Sequence, residues 1–87
     1  MNEINWTPKA LKQVRRFKNP QAGASIFDGA QVLQNFPHCT GVKALIKHEH
    51  QYRLRIGDYR VFFNVDASGE IFIVSIEEVR KRNERTY

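Results

Sequence analysis

The segment Tyr52–Phe63, YRLRIGDYRVFF, constrains the fold of this sequence more than any other stretch. Apolar and basic residues alternate on both sides of Gly57-Asp58, which is the pattern of two strands joined by a tight two-residue turn. In that register one face of the hairpin is apolar, and the other carries Arg53, Arg55 and Arg60. Arg55 and Arg60 then lie directly opposite each other, and like charges in such positions destabilise a sheet. We therefore predict that this face binds an anion; an ordinary solvated sheet face is the alternative.

The size and charge of the chain limit its possible functions. Its 87 residues are enough for one domain, 1–87, and its net charge of +5 suggests a nucleic acid, an acidic protein or an anionic membrane as partner. No apolar run approaches the roughly 20 residues of a membrane span, and the N-terminus lacks the apolar segment of a signal peptide. Cys39 is the only cysteine, which excludes an internal disulfide. We expect a cytoplasmic protein without a membrane partner.

Helix and strand signals predict the order β-α-α-β-β-β. Thr7-Pro8 is typical of a helix N-cap followed by the first helical residue. The order indicates an α+β fold, a small antiparallel-dominated sheet with two N-terminal helices packed on one face. The predicted elements are a strand at Ile4–Trp6, a helix from Pro8 that Asn19-Pro20 breaks, a helix within Gln21–Phe36, a strand at Val42–Ile46, the hairpin, a turn at Asp66–Gly69 and a strand at Ile71–Ile76. The predicted core is Leu54, Ile56, Val61, Phe63, Phe72 and Val74 from the sheet, with Ile26, Ala30, Leu33 and Phe36 from the second helix.

Two further groups of polar residues are candidates for function. Lys9, Lys12 and Arg16 form the outer face of the first helix, where they are either solvated or in contact with RNA. His48-Glu49-His50 precedes the hairpin, and two histidines at i and i+2 without a nearby third ligand are a weak signal for a metal. We expect a polar loop there and no metal site. Either histidine is an outside candidate for a general base, provided that the loop folds over the arginines.

The segment Arg80–Tyr87, RKRNERTY, repeats the basic theme of the hairpin. It follows the apolar strand Ile71–Ile76. If that strand pairs with the second hairpin strand, its end delivers Arg82 and Tyr87 near the hairpin arginines. The result would be a cationic site of the size of a phosphate, with a phenol at its rim. A solubilising segment that ends in a frayed tyrosine is the alternative.

The hairpin motif and the KRNERTY segment, in this order of elements, resemble the RelE toxins of the RelE/ParE superfamily. The resemblance covers essentially the whole chain, and the hairpin is its most specific part. It implies the toxin half of a bacterial type II toxin–antitoxin pair. It further implies an enzyme that enters the ribosomal A site and cuts mRNA there by attack of the 2′-OH on the adjacent phosphate, without a metal or other cofactor. The implied partners are a cognate antitoxin, the ribosome with its rRNA, and mRNA.

The resemblance also assigns individual residues. Arg53 and Arg55 match basic positions of the first hairpin strand, and Arg60 matches the arginine after the turn. The C-terminal motif maps onto Arg82 and Tyr87, with Lys81 in place of Arg82 if the one-residue gap is set differently. A looser K-x-L element includes Lys43. We therefore predict that the residues that bind RNA or the ribosome are Lys9, Lys12, Arg16, Lys43 and Lys81.

Cleavage through the 2′-OH needs a base, cations that stabilise the phosphorane, and an acid for the leaving 5′ oxygen. Arginine suits the second task, because its fork binds two phosphate oxygens, and we assign it to Arg60 with Arg53 or Arg55. Neither Arg53 nor Arg55 can be the base, since a guanidinium is not deprotonated in proteins. We assign the base to Tyr87, whose ring could instead stack on a nucleobase, and assistance of the leaving group to Arg82.

Two other functions stay open at this point. One is a ParE-like inhibitor of DNA gyrase, which shares the fold and acts by binding a protein. The other is an RNA-binding module without catalytic activity. The coincidence of the hairpin arginines with the terminal tyrosine favours the nuclease, because a gyrase inhibitor needs no set of groups aligned on a phosphate.

Overall fold

The computed structural model describes residues 1–82, which form one five-stranded sheet and two helices. The strand order is β1-β5-β4-β3-β2, with β1 parallel to β5 and the other neighbours antiparallel. This is the predicted α+β fold. The elements are β1 Glu3–Trp6, α1 Pro8–Arg15, α2 Ala22–Ala30, a 3₁₀ helix Gln31–Asn35, β2 Val42–Ala44, β3 Tyr52–Ile56, β4 Tyr59–Ser68 and β5 Ile71–Lys81.

The hairpin of β3 and β4 has the predicted register. Arg55 pairs with Arg60, Leu54 with Val61, and Ile56 with Tyr59 on either side of the turn. The second hairpin differs from the prediction, because β4 continues through Ser68 and the turn is Gly69-Glu70. The polar residues Asp66–Ser68 pair with β5 instead of forming a turn, so cross-strand pairing overrides their local preference.

Helix α1 begins as predicted and covers part of a sheet edge. The Ala10 N–H donates to Thr7 Oγ1 at 3.2 Å, which confirms the N-cap. β1 pairs only with the first half of β5, and α1 lies beside the second half. There the Val79 N–H donates to Gln13 Oε1 at 2.7 Å. The charged outer side of α1 therefore lies next to the end of β5.

Helix α2 is shorter than the segment in which it was predicted, because the chain tightens into the 3₁₀ helix after Ala30. All four residues predicted to face inward from this segment are nevertheless buried: Ile26, Ala30, Leu33 and Phe36. Gly29 allows the close contact between α2 and β3, because a Cβ atom there would lie 2.9 Å from the Ile56 side chain.

The core lies between the helices and one face of the sheet. Four of the six predicted sheet residues are buried, namely Leu54, Val61, Phe63 and Val74. The other two, Ile56 and Phe72, are partly buried and pack against this core. The opposite face of the sheet carries the arginines and has no helix on it within residues 1–82. None of the helices in this range is long and apolar enough to cross a membrane.

Candidate functional site

Three arginines stand side by side across three neighbouring strands, on the sheet face opposite the helices. Arg55 on β3 pairs with Arg60 on β4, and Arg60 pairs with Arg80 on β5. Side chains in such pairs have Cβ atoms about 4.5–5.5 Å apart, so the three guanidinium groups share one small surface. We call Arg55, Arg60 and Arg80 the arginine row. Its mutual repulsion is reduced when an anion binds to it.

A second row crosses four strands beside the first. Lys43 on β2 pairs with Arg53 on β3, Arg53 pairs with Phe62 on β4, and Phe62 pairs with Glu78 on β5. The structure thus brings the predicted RNA-binding residue Lys43 next to the predicted catalytic residue Arg53. The two rows together place five cations and one carboxylate on the same open face.

Glu78 reaches this face through a β-bulge. Phe62 pairs with Glu78 while Phe63 pairs with Ile76, so Glu77 is an extra residue on β5. Glu78 is only 3% exposed, and its Oε1 atom accepts a hydrogen bond from Arg80 Nη2 at 3.0 Å. The same atom lies 3.3 Å from Lys9 Nζ. A carboxylate is therefore buried in the middle of the cationic surface.

Opposing effects act on the protonation of Glu78. Burial raises the pKa of its carboxyl group, but hydrogen bonds and charge from Arg80 and Lys9 outweigh burial and bring the pKa below its usual value. Glu78 is thus an anion at neutral pH. The sequence analysis missed this residue. The available signal was the acidic pair Glu77-Glu78 in a strand whose other residues up to Val79 are apolar except Ser75.

The loop between β2 and β3, residues 45–51, folds over the middle of the open face. The His48 ring stacks on the Phe62 ring with centroids 5.3 Å apart and an angle of 9° between the planes. His50 lies against the same ring, and its Nε2 atom is 3.6 Å from Glu78 Oε2. Gln51 holds the end of the loop to β4, because its N–H donates to Asn64 Oδ1 and its Oε1 accepts from the Val65 N–H.

Buried polar atoms without hydrogen-bond partners gather at this place. Within residues 1–82 these atoms are His50 Nδ1, His50 Nε2, Arg53 Nε and Glu78 Oε2, and their three residues surround Phe62. Folded proteins pair nearly all buried polar atoms with protein or water, so each unpaired group calls for an explanation, of which a catalytic role is one. The candidate site therefore includes the surroundings of Phe62 as well as the arginine row.

The predicted cations of α1 border this site. Lys9 reaches Glu78 from the edge of the sheet, although its own side chain is 63% exposed. Lys12 and Arg16 are exposed, and with Lys9 they line an open groove along α1. Lys9 thus belongs both to this groove and to the ion pairs at Glu78.

The residues predicted at the C-terminal end fall in different places. Lys81 pairs with Tyr59, whose ring packs 4.8 Å from that of Phe17, so Lys81 shares the helix-side face. Arg82 follows β5, and its N–H donates to the carbonyl oxygen of Asp58 in the first hairpin turn. Arg80, which the sequence analysis did not select, is the residue of β5 that joins the arginine row. Tyr87 lies outside the described residues.

One group of side chains has the composition of a metal site. Glu49, His50 and Glu78 each offer a ligand atom, and these atoms lie within 4.8 Å of one another. Lys9 and Arg80 already bind Glu78, and two cations at this carboxylate oppose the approach of a divalent ion. We interpret the group as an ion-pair network, and the expected absence of a metal stays a prediction.

Comparison with known proteins identifies a family and a similar fold. The family model for the ParE toxin of the type II toxin–antitoxin system, parDE, matches residues 4–83. Among solved structures, a YoeB/ParE toxin from Agrobacterium tumefaciens superposes with a TM-score of 0.69. The alignment covers 93% of this chain and 99% of that one at 18% sequence identity, so the likeness is one of fold. No curated protein sequence matches.

Proposed function

We propose that this chain, which belongs to the ParE toxin family of type II toxin–antitoxin systems, is an endoribonuclease that cuts mRNA in the ribosomal A site. Membership of the family confirms the RelE/ParE resemblance and implies a cognate antitoxin as partner. The mode of action is the proposed part. It combines the cationic surface of the open face with the ionisable side chains that lie within it.

The observation that carries the proposal is the arginine row beside the unpaired atoms around Phe62. Arg55 and Arg60 face each other across β3 and β4 and repel each other in the free protein, while Glu78 partly neutralises Arg80 beside them on β5. A phosphate that gains negative charge as it becomes a phosphorane relieves this repulsion, and forked guanidinium groups bind its oxygens in pairs. The row is thus more complementary to the transition state than to the ground state.

Each predicted residue has a role in this proposal. Arg60, at the centre of the row, stabilises the phosphorane together with Arg55, and Arg53 binds the neighbouring phosphate from the second row. Arg82 assists the leaving group, and Tyr87 acts as base or stacks on a nucleobase. Contacts to RNA or ribosome come from the remaining cations, Lys9, Lys12, Arg16, Lys43 and Lys81. No metal or other cofactor takes part, and the toxin acts in the cytoplasm.

Inhibition of DNA gyrase is the second candidate function. The name of the matching family favours it, since that name is ParE and the chain matches over residues 4–83. The open face favours the nuclease, because a toxin that acts only by binding protein has no use for ionisable groups buried without partners.

A direct experiment separates the two functions. The purified chain is added to programmed ribosomes, and mRNA cleavage is mapped by primer extension, while a parallel reaction measures supercoiling by gyrase. We expect cleavage at A-site codons, sensitivity to Arg60→Ala and no effect on supercoiling. Cleavage should survive EDTA once ribosome integrity is controlled. Inhibited supercoiling with intact mRNA would establish the gyrase alternative.

The cationic open face also suggests how a cognate antitoxin would bind. We propose that an acidic or amphipathic antitoxin segment lies against the helices and the sheet edge and covers or distorts the open face. Such a segment would fold on binding. Co-expression should therefore protect the host cell, and growth unaffected by the toxin alone would contradict this part of the proposal.

A further inference from the structure

The arginines of the open face leave the proton transfers of the proposed reaction without a donor or acceptor. A guanidinium stays protonated, so it takes no proton from a 2′-OH. Tyr52 and Tyr59 face the helix side, where they pack against Phe36 and Phe17. Among the described residues, His48 and His50 place imidazoles over the open face, and imidazole is the side chain that most often serves as a general base.

His50 is the better placed of the two histidines. Its side chain is only 11% exposed, while His48 is exposed and fixed on the Phe62 ring. His48 Nδ1 already accepts the His50 backbone N–H at 3.0 Å. Neither ring nitrogen of His50 has a hydrogen-bond partner within residues 1–82. One edge of this ring faces the carboxylate of Glu78. The Nδ1 atom on the other edge is also buried, so the β2–β3 loop has to shift when a substrate hydroxyl reaches it.

We propose that His50 is the general base of this nuclease and that Glu78 is its positioning residue. The inference rests on the proposed function and names the residues that complete it. Glu78, held by Lys9 and Arg80 through Oε1, presents Oε2 to His50 Nε2 at 3.6 Å. This arrangement directs the second nitrogen, Nδ1, away from Glu78, and the charge of Glu78 stabilises the imidazolium that forms.

One base and water account for every proton that moves in this reaction. Neutral His50 takes the proton of the 2′-OH, and the 2′ oxygen forms a bond to the adjacent phosphorus. The bond from phosphorus to the 5′ oxygen breaks, and that oxygen takes a proton from water. The imidazolium returns its proton to solvent. The products are a 2′,3′-cyclic phosphate and a 5′-hydroxyl end. Tyr87 then stacks on a nucleobase, which is the other role that the sequence allows for it.

The electrostatic surroundings of His50 include groups from four elements. Glu49 and His48 belong to its own loop, Glu78 and Arg80 to β5, Arg53 to β3, and Lys9 to α1 through its contact with Glu78. Glu49 is exposed, and its Oε1 atom is 3.9 Å from His50 Nε2. Glu78 is the buried anion of this set, so its removal has the larger effect on the charge of the imidazole.

The test is single-turnover cleavage on programmed ribosomes with His50→Ala, His50→Gln, Glu78→Gln and the control His38→Ala, each with a thermal melt. His38 is exposed in a different loop. We expect His50→Ala to cleave about 100-fold more slowly and free imidazole to restore at least about tenfold of the rate. The wild-type rate should rise with pH along one limb, which His50→Gln removes. Glu78→Gln should lower the rate without weakening ribosome binding. His38→Ala should match the wild type.

The remaining outcomes separate this inference from the proposed function. A wild-type chain that cuts no mRNA refutes both. A wild-type chain that cuts, with His50→Ala cutting at the same rate, refutes only the role of His50. Loss of cleavage without rescue by imidazole, accompanied by loss of ribosome binding or by a lower melting temperature, makes His50 structural. Activity that EDTA abolishes and Zn²⁺ restores makes His50 a metal ligand and also overturns the inference.

Discussion

The two faces of the central strands β3, β4 and β5 are built from alternate residues of the same strands and differ in character, one being apolar and buried and the other charged. On the helix side, Leu54, Val61 and Phe63 are 0–2% exposed and belong to one buried cluster with residues of both helices. On the open side, Arg55 and Arg60 lie one residue away along the same strands and meet no opposite charge across the pair. One face therefore supplies the packed core of the fold, and we propose that the other tolerates repulsion because it binds an anion.

This comparison predicts that stability and activity can be changed separately, even at neighbouring residues. A substitution on the helix side should lower the free energy of unfolding. A substitution on the open side should lower activity and leave the fold in place, since functional sites are commonly not optimised for stability.

The largest expected effect compares Phe63 with Phe62, which are adjacent in β4 and point to opposite faces. Phe63→Ala leaves a cavity in the core and should lower the free energy of unfolding by about 3–5 kcal/mol. Phe62→Ala should cost less, roughly 1.5–3 kcal/mol at most, because the β2–β3 loop covers its ring and the core does not. Denaturant unfolding of both variants measures the difference, and equal losses would contradict the separation of the two faces.

The second prediction concerns the centre of the arginine row. Arg60→Ala should reduce mRNA cleavage by about 10²–10³-fold, the usual cost of removing a group that stabilises transition-state charge. Its melting temperature should not fall, because the substitution relieves repulsion from Arg55 and Arg80. Arg15→Ala, an exposed site at the end of α1, removes the same charge and should cleave normally. Normal cleavage by Arg60→Ala would remove the phosphorane assignment.

The third prediction separates the two roles of Tyr87. If the ring stacks on a nucleobase, Tyr87→Phe should cleave within about threefold of the wild type, and Tyr87→Ala should lose roughly tenfold or more, since base stacking is worth about 1–3 kcal/mol. If the phenol is the base, Tyr87→Phe alone should lose about 100-fold. Single-turnover cleavage by both variants decides between them, and the second outcome would return the base from His50 to Tyr87.

The sequence predicts which face of the sheet a side chain occupies only where apolar and polar residues alternate along a strand without a break. The two-residue turn at Gly57-Asp58 fixes the register of β3 and β4, so the pairing of Arg55 with Arg60 follows from the sequence. The bulge at Glu77 has no such local signal, because the extra residue becomes visible only when β5 pairs with β4. It decides which residues at the end of β5 reach the open face.

Glu78 and Arg80 were missed, and Lys81 was placed in the site, for this reason. The position of His50 could not be predicted for a different reason. Its contacts with Phe62 and Glu78 are tertiary and depend on how an irregular loop folds back. The pairing of the hairpin arginines could thus be predicted from the sequence, while the contacts of Glu78 and His50 became visible only in the folded chain.

The smallest expected effect tests whether the open face makes any contribution to stability, through the pH dependence of unfolding. Hydrogen bonds and charge from Arg80 and Lys9 hold the pKa of Glu78 below its usual value in spite of burial. The unfolded chain therefore binds a proton at a higher pH than the folded chain does. The stabilisation is present above the unfolded pKa of a glutamate and is lost as the pH falls through the folded pKa.

Glu78→Gln removes this titration and should flatten the decline of the melting temperature in the acid range. At neutral pH the variant should lose little stability, since Lys9 and Arg80 are each 63% exposed and become solvated when the carboxylate is gone. Glu70→Gln, in the exposed β4–β5 turn, changes the same charge without a buried partner and should keep the wild-type slope. Melting curves of the three proteins as a function of pH provide the measurement. Parallel slopes for Glu78→Gln and the wild type would show that the ion-pair network serves the site alone, and the two faces would then be fully separate in function.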